Sequence, residues 1–310
     1  MRSQCPSSHD KSHALFRTTL LGLALLASAP AWAQDACPPE GIDAGSLQGL
    51  KQQKFAIQDT ATRNSLALGL LGCLSSPDPA LRDGTAYEAL TQWMRNDQLD
   101  VATRRQLRDR LYAMLKEPDA EGFRQPFAAL VLSEVARSDR ITPWMSPKER
   151  AAMVDAATDY LESVRDYRGY DEAQGWRHGV AHGSDWLMQL ALNPALERGQ
   201  LDRMLKAIAS QAVPESAHAY VFGEPERLAQ PVLYLAKRGW LTEAEWAAWF
   251  SALPAPTGDP AKAYASSAWL ARHHDRLAFL TAIYLQADQS HDAQIKVLKG
   301  AVAAAMKAAP

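Results

Sequence analysis

The sequence predicts an all-α protein of stacked antiparallel helical hairpins, a HEAT-like α-solenoid. Three observations carry this expectation. Apolar residues recur at spacings of three and four rather than two, as helices require. Alanine, the best helix former, is abundant, and alternating β-branched runs are absent. The periodic segments are divided by short turns, so successive helices can pack antiparallel.

Helices are expected at about 43–53, 60–75, 80–96, 101–116, 124–138, 147–165, 175–192, 197–212, 224–238, 243–252, 260–287 and 290–308. Leu66, Leu70, Cys73 and Leu74 share one face of the second, and Tyr87, Leu90, Trp93 and Met94 one face of the third. Between them, Leu74 to Arg82 has the form of a HEAT-type turn: Asp78-Pro79 starts the next helix, and Arg82 can bridge to a neighbouring unit. Leu107, Leu111 and Met114, then Met153, Ala157, Tyr160 and Leu161, continue the pattern. Ser146-Pro147-Lys148-Glu149 and Thr242-Glu243-Ala244-Glu245 read as capping boxes. Gly239, after Lys237 and Arg238, reads as a helix stop. Asn193-Pro194 and Pro254 to Gly258 are turns. No long Gly/Ser-rich or charged linker interrupts residues 34–310, which are expected to form a single domain.

The first 33 residues have a different character. Lys11 and Arg17 precede an apolar run through Leu20, Leu21, Leu23, Leu25 and Leu26 that ends at Ala31-Trp32-Ala33. This is the pattern of a secretory signal peptide cleaved after Ala33. The run falls short of the ~18–20 residues that span a bilayer, which disfavours a membrane anchor. The mature protein is therefore expected in the periplasm or outside the cell, with no membrane span. The formal charge of −2 becomes −4 once Arg2, Asp10, Lys11 and Arg17 leave, which offers nothing to a nucleic acid. Cys37 and Cys73 remain, and in an oxidising compartment they are expected to pair; two unpaired thiols are the alternative.

The chemistry concentrates between Arg165 and Leu187. A charged loop, Arg165-Asp166-Tyr167-Arg168-Gly169-Tyr170, leads through Gly175-Trp176-Arg177 into an apolar helix carrying His178, His182 and Asp185. On a helical wheel these three form one polar stripe among Val180, Ala181, Trp186, Leu187 and Leu190. Gly179 and Gly183 are four apart and allow another backbone to come close. The stripe has three readings. It can be a buried polar network, satisfied by Arg165, Asp166 and Arg168. It can be a ligand pocket, in which the arginines and Trp176 or Trp186 grip an anionic or carbohydrate ligand. It can be a metal site of His178, His182 and Asp185, with Zn²⁺ as the ion, although Gly179 stands where a zinc protease has its Glu. His273-His274-Asp275-Arg276, His218, and Phe222 to Arg227 are further polar clusters that can fold against the stripe. No serine-nucleophile or phosphate-loop pattern is present, and no cofactor is expected.

These residues resemble an uncharacterised bacterial family of helical proteins, a domain of unknown function. The resemblance rests on an RDxRGY loop at 165–170 followed by GWxHxxAHxxDxL at 175–187. It extends to the segments Asp78 to Leu90, Phe222 to Leu241 and His274 to Leu280. It implies a HEAT-like helical fold and brings no activity with it. The leading functional expectation is an exported cell-envelope binding or scaffold protein, whose partner is a protein or a small molecule. The alternative is a metal-dependent hydrolase using His178, His182 and Asp185, with Asp166 or Asp275 as base.

Overall fold

The structure, a computed structural model, describes residues 36–255 and 263–308; the expected signal over 1–33 and the residues 260–262 lie outside these. The chain is mostly helical. In order come α1 (Ala44–Gln52), α2 (Thr60–Gly69), α3 (Pro79–Leu81), α4 (Glu88–Arg95), α5 (Val101–Met114), α6 (Arg124–Ile141) and α7 (Pro147–Ser163). A hairpin of β1 (Tyr170–Asp171) and β2 (Gly175–Trp176) follows. Then come α8 (Gly179–Leu192), α9 (Arg198–Ala212), α10 (Glu224–Ala236), α11 (Glu243–Ser251), α12 (Ser267–Gln289), α13 (Ala293–Lys296) and α14 (Leu298–Lys307).

Local chemistry sets most of these boundaries. Asp43, Asp59, Asp78 and Asp100 each accept a first-turn N–H with the side chain. Both expected capping boxes form, Ser146 with Glu149 and Thr242 with Glu245. Gly239 takes φ +63° just beyond α10, the left-handed geometry of a helix stop. Cys37 and Cys73 are joined across a separation of 36 residues, and closing a loop of that size contributes about 3–4 kcal/mol.

Five expected elements differ from the observed ones; among the described residues, the helix expected over 260–287 starts only at Ser267, after a turn at 263–265. The helix expected over 80–96 is broken by a π-helical turn, Arg82–Tyr87, in which the Thr85 hydroxyl donates to the Ala80 carbonyl. The helix expected over 60–75 ends in a 3₁₀ segment, Leu70–Ser75. The last helix is divided at Val297 into α13 and α14. The helix expected from 175 starts only at Gly179, because residues 170–176 form the hairpin. Asp171 closes it by accepting the Ala173 and Gln174 N–H groups. The pairing continues past β2, with Arg177 N–H to the Gly169 carbonyl and His178 N–H to the Arg168 carbonyl.

Helix α8 is the hub. It packs most extensively on α6, then on α10, and its third side meets α7. Many of the extensive pairings skip a helix: α6 on α8, α8 on α10, α10 on α12, α12 on α14 and, separately, α7 on α9, with α4 on α6 a lesser one; α7 on α8 and α5 on α6 are pairings of neighbours. Gly179 and Gly183 face α7, but side chains rather than its backbone fill the space. A Cβ on Gly183 would lie 3.1 Å from both Leu161 and Tyr160, and Tyr160 donates to the Gly179 carbonyl at 3.3 Å. Trp186, on the inward side of α8, is fully buried and stacks on Tyr112.

Arg82 and Arg177 tie the π-helical turn and the hairpin to the start of α6. Each guanidinium carbon sits 4.2 Å from the centre of the Phe123 ring. Arg82 also donates to the carbonyls of Ser76 and of Gln174, the latter in the turn of the hairpin. Arg177 donates to the Glu121 carbonyl and to Gln174.

Candidate functional site

The polar stripe of α8 opens into a cleft of about 590 Å³. The π-helical turn supplies Asp83 and Tyr87, α4 supplies Arg95, and α6 supplies Leu130, Ser133 and Glu134. His178, His182, Asp185, Met188 and Gln189 come from α8 and its cap; Trp176, Phe222 and Arg227 complete the wall.

His178 caps α8 at φ +59°, in the left-handed region that a side chain rarely adopts. The hairpin ladder holds it there. Its ring stacks on Trp176 at 4.7 Å and meets His182 at 5.8 Å. Its Nε2 lies 3.4 Å from Glu224 Oε1, a close contact that falls short of a hydrogen bond. Glu224 also accepts the Phe222 N–H at 3.0 Å. Burial opposes the ionisation of Glu224, but His178 and the Phe222 N–H outweigh it and hold its pKa below the usual range.

His182 is held more firmly. Its Nδ1 is 3.2 Å from the Pro126 carbonyl, and its ring packs against the edge of Phe127 at 5.2 Å. A carbonyl can only accept, so Nδ1 carries the proton and Nε2 the lone pair. Burial, with His178 and Arg227 nearby, pushes its pKa well below the ordinary value. His182 is therefore neutral at pH 7 and presents an acceptor.

Two forked ion pairs line the walls. Arg95 donates through Nε and Nη2 to buried Glu134, at 2.9 and 2.5 Å. Arg227 holds Asp185 in the same way, Nε to Oδ1 at 2.8 Å and Nη2 to Oδ2. Burial raises the pKa of Asp185 in spite of Arg227. A third carboxylate, Asp83, lies 2.6 Å from Arg82, and burial raises its pKa too.

The residues singled out by sequence divide into two groups. Trp176, His178, His182 and Asp185 meet in the cleft. Arg165, Asp166, Arg168 and His274 do not line it. Arg165 donates to the Glu162 and Val164 carbonyls at the end of α7. Arg168 pairs with Asp166 and donates to the Ala120 carbonyl. His274 donates from Nε2 to the Tyr220 carbonyl, on the other side of α10. Ser184 donates its hydroxyl to the Val180 carbonyl, and Trp186 belongs to the core rather than the cleft. Among the described residues, no group of three or more His, Cys, Asp or Glu side chains is disposed to hold a metal ion. The physical reason lies in Asp185, whose carboxylate is engaged by Arg227. Glu134 and Arg95 were not anticipated. The signal for Glu134 was a single acid inside the apolar run Phe127 to Val135.

Among the described residues, no helix is long and apolar enough to cross a membrane. No curated protein and no solved structure matches the chain. The family model "Protein of unknown function (DUF2785)" matches residues 111–285, more than half of the chain and every cleft element from α6 to α10, and the chain belongs to that family.

Proposed function

We propose that this chain is an exported binding protein whose α8-centred cleft takes a small polar ligand. The observation that carries the reading is that the His178–His182–Asp185 stripe opens into a cleft rather than closing against a packed helix. Polar groups kept only for structure are normally satisfied inside the core. Here an acceptor nitrogen, two forked ion pairs and an exposed indole converge on one concave space. Its volume falls in the range of about 300–1,000 Å³ typical of ligand sites. A strained residue at the lip, His178, is a further mark of such sites.

Two coarser features support the rest of the reading. The row α4, α6, α8, α10 and α12 has the packing order of the inner layer of a HEAT-like solenoid, and such a layer lines a concave surface. The basic and apolar N-terminus ending at Ala31-Trp32-Ala33, with the paired Cys37 and Cys73, supports a periplasmic or secreted location.

The test is a thermal-shift screen of the mature chain, residues 34–310, against a library of small polar metabolites. The same screen is run on Trp176→Ala. The expected result is at least one compound whose stabilisation saturates and disappears in the variant. A library without any Trp176-dependent hit overturns the reading.

A further inference from the structure

We infer that the ligand of this cleft is an uncharged saccharide. The inference rests on the binding-cleft reading above and adds the chemical class.

Charge balance comes first. The cleft holds arginines and carboxylates, yet each is already matched within the protein: Arg95 with Glu134, Arg227 with Asp185, and Asp83 with Arg82. An anionic ligand would have to draw an arginine away from a buried carboxylate, and a cationic one a carboxylate away from its arginine. The first exchange leaves a buried carboxylate without its partner, which is strongly unfavourable; the second, at Arg95 or Arg227, leaves a half-exposed arginine that water can solvate, and costs the two charge-assisted hydrogen bonds of the fork. An uncharged ligand binds without disturbing any pair.

The pairs also have the form that hydroxyl groups match. Each arginine engages its carboxylate through Nε and Nη2, so Nη1 remains outside the fork as a donor. Each carboxylate keeps lone pairs beyond the two it uses. The fork fixes both partners in one plane, giving oriented donors and acceptors side by side. His182 adds an acceptor at Nε2, fixed by its bond to Pro126. A hydroxyl both donates and accepts, and adjacent sugar hydroxyls present such groups in pairs.

The rim supplies the apolar complement. Trp176 and Phe222 remain 36% and 37% exposed although both stand at the mouth of the cleft. They meet edge to face at 5.9 Å, and Tyr170 leans on Trp176 at 5.0 Å. Gly169 makes this possible, because a Cβ there would lie 2.0 Å from the Phe222 ring. His178 already stacks on one face of Trp176, so the part of the indole that stays exposed, with Phe222 and the polar groups beside it, is what suits a ring with one C–H face and a hydroxyl edge.

The test is isothermal titration calorimetry of the mature chain with three uncharged trisaccharides, of the chito-, cello- and malto- series. Trigalacturonate and the glucosamine trimer serve as charged counterparts. At least one uncharged trisaccharide is expected to bind saturably. Its affinity should change less than about twofold between low and high salt, since no ionic contact forms. Trp176→Ala is expected to weaken it about tenfold, the scale of a lost ring-stacking contact. Arg227→Lys keeps the charge but breaks the fork, and should weaken it comparably. Phe222→Ala guards against a misfolded hairpin in the Trp176 variant and should give a smaller loss. The saccharide assignment is overturned if no uncharged trisaccharide binds at about 10 mM, far weaker than typical specific sites. It is equally overturned if a charged trimer binds more tightly than all three. A charged trimer whose binding needs Trp176 overturns the class alone and leaves the cleft reading standing. Failure here together with an empty metabolite screen overturns both.

Discussion

Two concavities of similar size lie on opposite sides of α10, and they are built from different chemistry. The cleft, about 590 Å³, is walled by forked ion pairs, two histidines and an aromatic rim. The groove between α10 and α12, about 650 Å³, is lined by Leu270, Leu277, Ala278, Ala282 and Leu285, with His273 and His274 near one end. Consecutive residues of α10 face the two spaces, Glu226 the groove and Arg227 the cleft. Volume therefore does not distinguish a recognition site here. What does is the number of polar groups held in one orientation by partners behind them.

Protonation separates the two regions most sharply. Under the groove, Asp275 accepts the Tyr220 N–H at 2.8 Å, its second oxygen has no hydrogen-bond partner, and burial pushes its pKa up to about 6. The folded chain thus keeps a proton that the unfolded chain releases near 3.8. Stability falls as pH rises between these values, and above 6 the full penalty applies, on the order of 2–3 kcal/mol. Asp275→Asn retains the oxygen that Tyr220 needs. It is expected to raise stability in urea at pH 8 by about that amount and to change little at pH 4. In the cleft the sign reverses. His182 is depressed, so the unfolded chain takes up a proton around 6.5 that the folded chain refuses, and stability is lost as pH falls below that value. His182→Phe should remove this loss. Equal pH slopes in both variants would break the contrast.

Sequence made these regions unequally legible. The periodicity of three and four placed nearly every helix, because most helices bury one apolar face and declare it. The caps at Ser146, Thr242 and Gly239 were readable because they act within four residues. The hairpin was not, since Gly175 and His178 take left-handed conformations that depend on pairing with residues 168 and 169. The stripe of His178, His182 and Asp185 was visible as polar residues on an apolar helix. Its partners were hidden, because Glu134 and Pro126 on α6 are about fifty residues away and carry no spacing signal.

A smaller effect sharpens what holds the cleft open. Asp185 is mostly buried and Arg227 is partly exposed, so the pair is neither a surface bridge nor a core one. Asp185→Ala leaves an arginine that can turn to water, and a loss of about 1–2 kcal/mol is expected. The double-mutant cycle with Arg227→Ala should return a coupling of about 1 kcal/mol, measured by urea unfolding. A coupling near zero would mean that the fork does not orient the two side chains, and the cleft would lose the property that sets it apart.

The smallest effect belongs to the groove. Leu285 is 49% exposed on α12, and its side chain faces the open space rather than the core. A serine there removes apolar area that is already half in water, so the expected change is within about 0.5 kcal/mol. Trp176 is exposed to a similar degree, but its ring touches Tyr170, His178 and Phe222. Trp176→Ala should therefore cost about 1 kcal/mol. Urea unfolding of the two variants side by side compares rims of like exposure and unlike packing. If Leu285→Ser costs as much as Trp176→Ala, the groove rim is as tightly built as the cleft rim, and the difference between the two concavities rests on their polar groups alone.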